Sequence, residues 1–167
     1  RNAVGNDINP LAVLLAKVKS TPMDFDKASF RPPEFLRCIE REYSEAKKRN
    51  ALPEPPFEIL PNLLHWFRKS AARDLQFLYE RILKIKERDS QDLLRVVFSD
   101  TVFKASNIDH RSSRFIRVLH EPELSRFIPD PLGYFRKKLI DASTRVSLFT
   151  RKLEETNDSS TIHVRRG

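Results

Sequence analysis

Two groups of cationic side chains stand out among the residues able to do chemistry: Arg111, Arg114 and Arg117 interleaved with Ser112 and Ser113, and the run Arg136, Lys137 and Lys138. Guanidinium forks and hydroxyls suit phosphate oxygens and base edges, and cations gain affinity for a polyanion by releasing its counterions. The formal charge of +8 and the pI near 9.8 agree with such a partner. A solvated charged face is the alternative for each group. Catalytic groups do not assemble. His65, His110, His120 and His163 are scattered, with none at the i, i+4 spacing of a helical metal site. Ser112 and Ser113 lack the strand-turn-helix context of an activated nucleophile. The single cysteine, Cys38, excludes a disulfide framework or a cysteine-rich zinc site and reads as a small apolar residue on a helix face. Three glycines are too few for a glycine-rich phosphate loop. Asp7 ends the apolar run Ala3-Val4-Gly5-Asn6; on residue types alone it caps the turn that follows.

These residues must be positioned by elements that are mostly helical. A short strand ending at Asp7 is followed by Asn9 as N-cap and Pro10 as first helical residue, since proline lacks only an N–H that would be orphaned there. Leu11, Leu14, Leu15 and Val18 fall on one face of that helix. Residues 22–33 read as a loop. A second helix spans about Glu34 to Arg49, with Phe35, Ile39 and Tyr43 inward. The stretch ALPEPPFEILPN, with four prolines, reads as a stiff connector. A third helix runs from about Ser70 to Lys86 with Leu75, Leu78, Ile82 and Ile85 at helical spacing. Ser90 is expected to cap a fourth, which buries Leu94, Val97, Phe98, Val102 and Phe103. Residues 107–130 show no periodicity. Asp130 and Pro131 then open a helix over 131–155, about 40 Å long. Its seam of Leu132, Phe135, Leu139, Ala142, Val146, Phe149 and Leu153 suits packing along another helix, within a bundle or in a dimer. TNDSS breaks that helix, and the alternating TIHVRRG closes the chain as a strand.

The opening segment AVGNDINPLAVLLAKVKSTP resembles the second conserved segment of class I S-adenosylmethionine-dependent DNA methyltransferases that modify exocyclic amines. TIHVRRG resembles the strand that leads, in that family, toward the catalytic TSPPY or DPPY motif. LPNLLHWFRKSAARDLQFLYERI and LLRVVFSDTVFKAS are similar to the helical region some of these enzymes carry between their two halves. The resemblance implies that Asp7 accepts both ribose hydroxyls of S-adenosylmethionine and that Ile8 packs against its adenine. A carboxylate at the carboxyl end of a parallel strand faces the ligand crevice, which makes the role chemically sound. It further implies that the helical segment acts in target recognition, so that Arg111, Ser112, Ser113, Arg114, Arg117, Arg136, Lys137 and Lys138 contact DNA.

The expected fold is thus mainly α: a helical bundle insertion flanked by two short strands of a Rossmann-like α/β methyltransferase sheet. Residues 1–22 would be the strand and helix of the cofactor-binding half, 23–157 the helical insertion, and 158–167 the strand leading toward the catalytic motif. Neither the glycine-rich cofactor loop nor the Pro-Pro-Tyr motif lies in these 167 residues. The chain therefore reads as an interior fragment, inactive by itself, of a DNA N-methyltransferase acting on adenine-N6 or cytosine-N4. Its terminal strands are expected to lack neighbours, and so to be poorly anchored or paired with a second copy; a homodimer through those strands or through the 132–153 seam would follow. No segment has the length and apolarity of a membrane span, so a cytoplasmic location is expected. The alternatives are a non-enzymatic helical interaction module and part of an RNA methyltransferase.

Overall fold

The structure, a computed structural model, describes residues 3–56, 62–108, 128–156 and the backbone of 162–166. Among the described residues eight elements follow in chain order: β1 (Ala3–Asp7), α1 (Pro10–Ser20), α2 (Pro32–Lys48), α3 (Leu63–Trp66), α4 (Lys69–Leu83), α5 (Arg88–Ala105), α6 (Pro131–Thr156) and β2 (Ile162–Arg166). The chain is mainly helical, as expected. Its core is a single apolar cluster fed by every long helix: Val18 of α1, Leu36 and Ile39 of α2, Phe77, Leu78 and Ile82 of α4, Leu93, Leu94 and Val97 of α5, and Phe135, Leu139 and Val146 of α6. Three residues of the expected seam are therefore buried against the chain's own core.

The two proline-marked helix starts form as the local chemistry dictates. The Asn9 side chain accepts from the Leu11 amide at 3.0 Å, and Asp130 accepts from the Gly133 amide at 2.9 Å. Other boundaries move. α2 begins at Pro32, two residues before the expected Glu34, because both prolines fit the first turn, where amides are unpaired anyway. The helix around Ser70 is preceded by a separate turn, α3, and the two are parted by Phe67 in extended conformation. α4 stops at Leu83 and not Lys86, because the Gln91 side chain donates to the carbonyls of Ile82, Leu83 and Ile85, the last at 2.8 Å. That capping satisfies carbonyls that a further turn would otherwise use.

α5 corrects two expectations. It starts at Arg88, so Ser90 lies inside the first turn, where its hydroxyl donates to Glu87 Oε2 at 3.1 Å. Its buried face is Leu93, Leu94, Val97, Thr101 and Ala105. Phe98 and Val102 are only half-buried, and Phe103 is exposed. The rotation follows from α5 packing on α1, α4 and α6 at once, which a one-face reading of its periodicity does not anticipate.

The terminal strands correct a third. β1 and β2 pair with each other in parallel, with Ala3 opposite Ile162 and Asp7 opposite Arg166. They are neither unpartnered nor dependent on a second copy for that pairing. A parallel pair needs a long crossover, and here the entire helical region supplies it, with α1 packed on both strands. Among the described residues, no helix is long and apolar enough to cross a membrane.

Candidate cofactor and nucleic-acid interface

Asp7 closes β1 at the carboxyl end of the parallel pair, one turn before the N-terminus of α1. Its Oδ1 accepts from the Asn9 amide at 2.8 Å, and Asn9 in turn caps α1. That chain of bonds fixes the carboxylate at the strand end. The second carboxylate oxygen has no hydrogen-bond partner among the described residues. Turn capping and ligand binding are therefore compatible, since one oxygen serves each. Ile8 follows with its side chain 82% exposed, an apolar surface beside a carboxylate. A ribose diol needs an acceptor, and a flat base needs an apolar face; this pair of residues fits both demands.

α1 is tied to the bundle by a charge cluster that composition does not reveal. Lys17 Nζ lies 2.7 Å from Asp92 Oδ2 and 3.0 Å from Asp89 Oδ1. The bond to Asp92 is the main reason the Lys17 ammonium is held above the ordinary lysine range, against the opposing effect of burial. The position of Asp7 relative to the bundle thus depends on a side chain two turns into the helix that follows it.

The cationic residues on α6 do not form one surface. Consecutive helical positions point about 100° apart. Arg136 is drawn toward Glu40 of α2 at 3.6 Å, and Lys138 toward Asp100 of α5 at 3.3 Å. Lys137 lies between them, exposed and without an ion pair among the described residues. The other group, Arg111, Ser112, Ser113, Arg114 and Arg117, lies outside the described residues.

Cys38 is exposed on α2, not packed as a small apolar residue. Its thiol donates to Glu42 Oε1 at 3.3 Å, and that carboxylate pushes the thiol above its ordinary range, which disfavours a reactive thiolate. Among the described residues, no group of three or more His, Cys, Asp and Glu side chains is placed to hold a metal ion. His65 stacks edge-on against Trp66.

A second electrostatic feature, also missed from the sequence, joins α2 to α4. The Tyr43 hydroxyl donates to Asp74 Oδ1 at 2.9 Å. Burial raises the Asp74 carboxyl above its ordinary range, partly offset by the Tyr43 bond and by Lys47. A carboxyl raised in the folded state makes the fold lose stability as pH climbs through its titration, from the unfolded value upward. Asp74→Asn keeps an acceptor for Tyr43 and removes the charge. It should therefore flatten stability over the acidic range and leave the neutral protein at least as stable, as read by urea melts from pH 4 to 7. Asp74→Ala strands the hydroxyl and should cost about 1 kcal/mol.

No family model matches the chain, and no solved structure matches it. A curated protein does. Over 162 residues, 93% of this chain, it is 27% identical to the Type II methyltransferase M.MvaI of Kocuria varians. The chain spans 34% of that protein's length. The similarity thus extends over most of this chain and about a third of that methyltransferase.

Proposed function

We propose that the chain is the part of an S-adenosylmethionine-dependent DNA amino-methyltransferase that carries the ribose-binding acid and a DNA-contacting helical region. The observation that carries this reading is Asp7: a carboxylate held at the end of a parallel strand, with one oxygen unengaged among the described residues and an exposed apolar residue beside it. The similarity to a type II methyltransferase supports it. In this reading Asp7 accepts from the two ribose hydroxyls and Ile8 covers the adenine. The parallel pairing of β1 with β2 supports a place in a Rossmann-like sheet, where ligands bind beyond the carboxyl ends of the strands. The cofactor, when bound, supplies the methyl group; the amine of the target base, adenine-N6 or cytosine-N4, would be held by the catalytic motif, which these residues do not contain.

Contact with DNA falls to the cationic groups. Lys137 is the best-placed of the described three, because Arg136 and Lys138 already have carboxylates nearby. The test is a fluorescence-anisotropy titration of the chain with a short labelled DNA duplex at 50 and 200 mM salt, with an RNA duplex as competitor. Four phosphate contacts, one from each of Arg111, Arg114, Arg117 and Lys137, give a log–log salt slope of about −3.6, so affinity should fall about 150-fold across that range. Replacing Arg111, Arg114 and Arg117 by Ala should remove most of that slope, and Lys137→Ala about one unit of it. Binding that is absent at 50 mM salt, or insensitive to salt, would leave the helical region as scaffold. Preference for the RNA duplex would move the reading to an RNA enzyme.

A further inference from the structure

The start of α2 and one stripe of α6 enclose a cleft of about 740 Å³, remote in sequence from Asp7. On α6, Arg136, Ile140, Ser143, Ser147 and Arg151 follow one another at spacings of four, three, four and four, so they share a face. Arg37 reaches the cleft from α2.

Ser143 distinguishes this cleft from an ordinary charged surface. It is 8% exposed, and its hydroxyl has no hydrogen-bond partner among the described residues. Helical serines and threonines have a standing option, the carbonyl four residues back. Thr144 and Thr150 on the same helix use it, donating to Ile140 and Val146 at 2.9 and 3.0 Å. Ser143 does not. A buried hydroxyl without a partner costs free energy; the Ser143 oxygen is itself shut off from the cleft that its residue lines, and a turn about χ1 would bring it to a ligand there.

The charges favour an anion. Four arginines border the cleft, against the carboxylates of Asp26, Glu34 and Glu40. Two of the carboxylates are engaged at long range, Glu34 with Arg31 at 3.8 Å and Glu40 with Arg136 at 3.6 Å. Arg37 and Arg151 have no carboxylate within ion-pair distance among the described residues, and neither does Asp26 have a cation; four arginines against three carboxylates leave the cleft one net positive charge. The remaining wall is apolar: Phe25, and the exposed side chains of Ile140 and Leu148. Cations, a free hydroxyl and an apolar wall in one cavity match a ligand that is part phosphate and part flat ring.

We propose that this cleft binds a phosphorylated nucleoside, free or as one unit of an unpaired strand, with Arg37 and Arg151 supplying the charge, Ser143 a hydroxyl donor, and Phe25 and Leu148 the surface for the base. The proposal goes beyond the methyl-donor site and does not depend on it.

The test is calorimetric titration of the whole chain in 50 mM salt with deoxyadenosine 5′-monophosphate, deoxyadenosine, inorganic phosphate and the single strand (dA)4. The nucleotide should bind at least tenfold more tightly than either the nucleoside or phosphate alone. Arg37→Gln with Arg151→Gln, both exposed positions, should weaken it at least tenfold. Ser143→Ala should weaken it several-fold while raising Tm, because it deletes an unsatisfied buried hydroxyl; a structural role alone would move only the second. Tighter binding of (dA)4 than of the mononucleotide assigns the site to a strand, and equal binding to a free nucleotide. No binding of either at millimolar concentration, equal binding of phosphate alone, or indifference to the arginine changes would overturn the proposal. Duplex binding without any nucleotide binding would sink the cleft and spare the DNA reading. Nucleotide binding without duplex binding would do the reverse.

Discussion

Phe135→Ala is expected to lower the unfolding free energy by about 3–5 kcal/mol. Phe135 is fully buried in the core cluster, where α6 meets α4 and α5. Truncation removes a large apolar surface from the core and leaves a cavity that the close-packed surroundings refill only partly. A domain of this size has on the order of 5–15 kcal/mol of stability in total, so the variant should sit near the edge of unfolding at 37 °C. Phe149, on the same seam two turns from the helix end, is only partly buried; Phe149→Ala should cost less than half as much. Urea denaturation followed by circular dichroism reads both. The same melts at tenfold different protein concentrations decide between a seam used within the chain and one shared with a second copy. Midpoints independent of concentration, with Phe135→Ala the more damaging, are expected; a cost under 1 kcal/mol for Phe135→Ala would contradict the packing.

What could be read from the sequence was what local chemistry decides. Asn9-Pro10 and Asp130-Pro131 each place a side-chain acceptor and a pre-set φ in adjacent positions, and both helices start there. Asp7 at a strand end is legible for the same reason, since the cap, the turn and the acid lie within five residues. The long seam of α6 repeats often enough to specify a helix, and Phe135, Leu139 and Val146 are buried as its spacing requires. What could not be read depends on partners far along the chain. The exposed faces of Phe98 and Phe103 are set by three other helices packing on α5 at once. The pairing of β1 with β2 joins residues at opposite ends of the chain, which no window of local pattern contains. The cleft beside Ser143 joins Arg37 of α2 to Arg151 of α6, far apart in the sequence. Even there a trace exists: Arg136, Ser143, Ser147 and Arg151 recur at helical spacing on the flank of α6 beside its apolar seam.

Lys17 is the least conspicuous of these long-range contacts and the one with most consequence for the Asp7 site. Lys17→Met should cost about 2 kcal/mol, a figure kept low because the lysine is itself one-third exposed and partly screened. The loss comes mainly from Asp92, whose side chain is 9% exposed and among the described residues would keep only Arg95, at 3.8 Å, as a cationic neighbour. An unpaired buried carboxylate is costlier than a missing pair. Asp92→Asn in the Lys17→Met background should therefore recover much of the stability, a non-additivity that a double-mutant cycle measures directly. The pH dependence has a definite sign. Lys17 is raised in the folded state, so its contribution is complete below the ordinary lysine value and is lost as pH rises through the raised one. Alkaline conditions above about pH 10.5 should consequently mimic the mutation. Because Lys17 ties the helix that carries Asp7 at its entrance to α5, its loss should loosen β1 and α1 before the bundle. Hydrogen exchange can separate the two outcomes: faster exchange in β1 and α1 with α4 and α5 unchanged is expected. Uniform acceleration across the chain would mean that the strand unit and the bundle open as one, and that Asp7 is held by the whole core and not by this single tether.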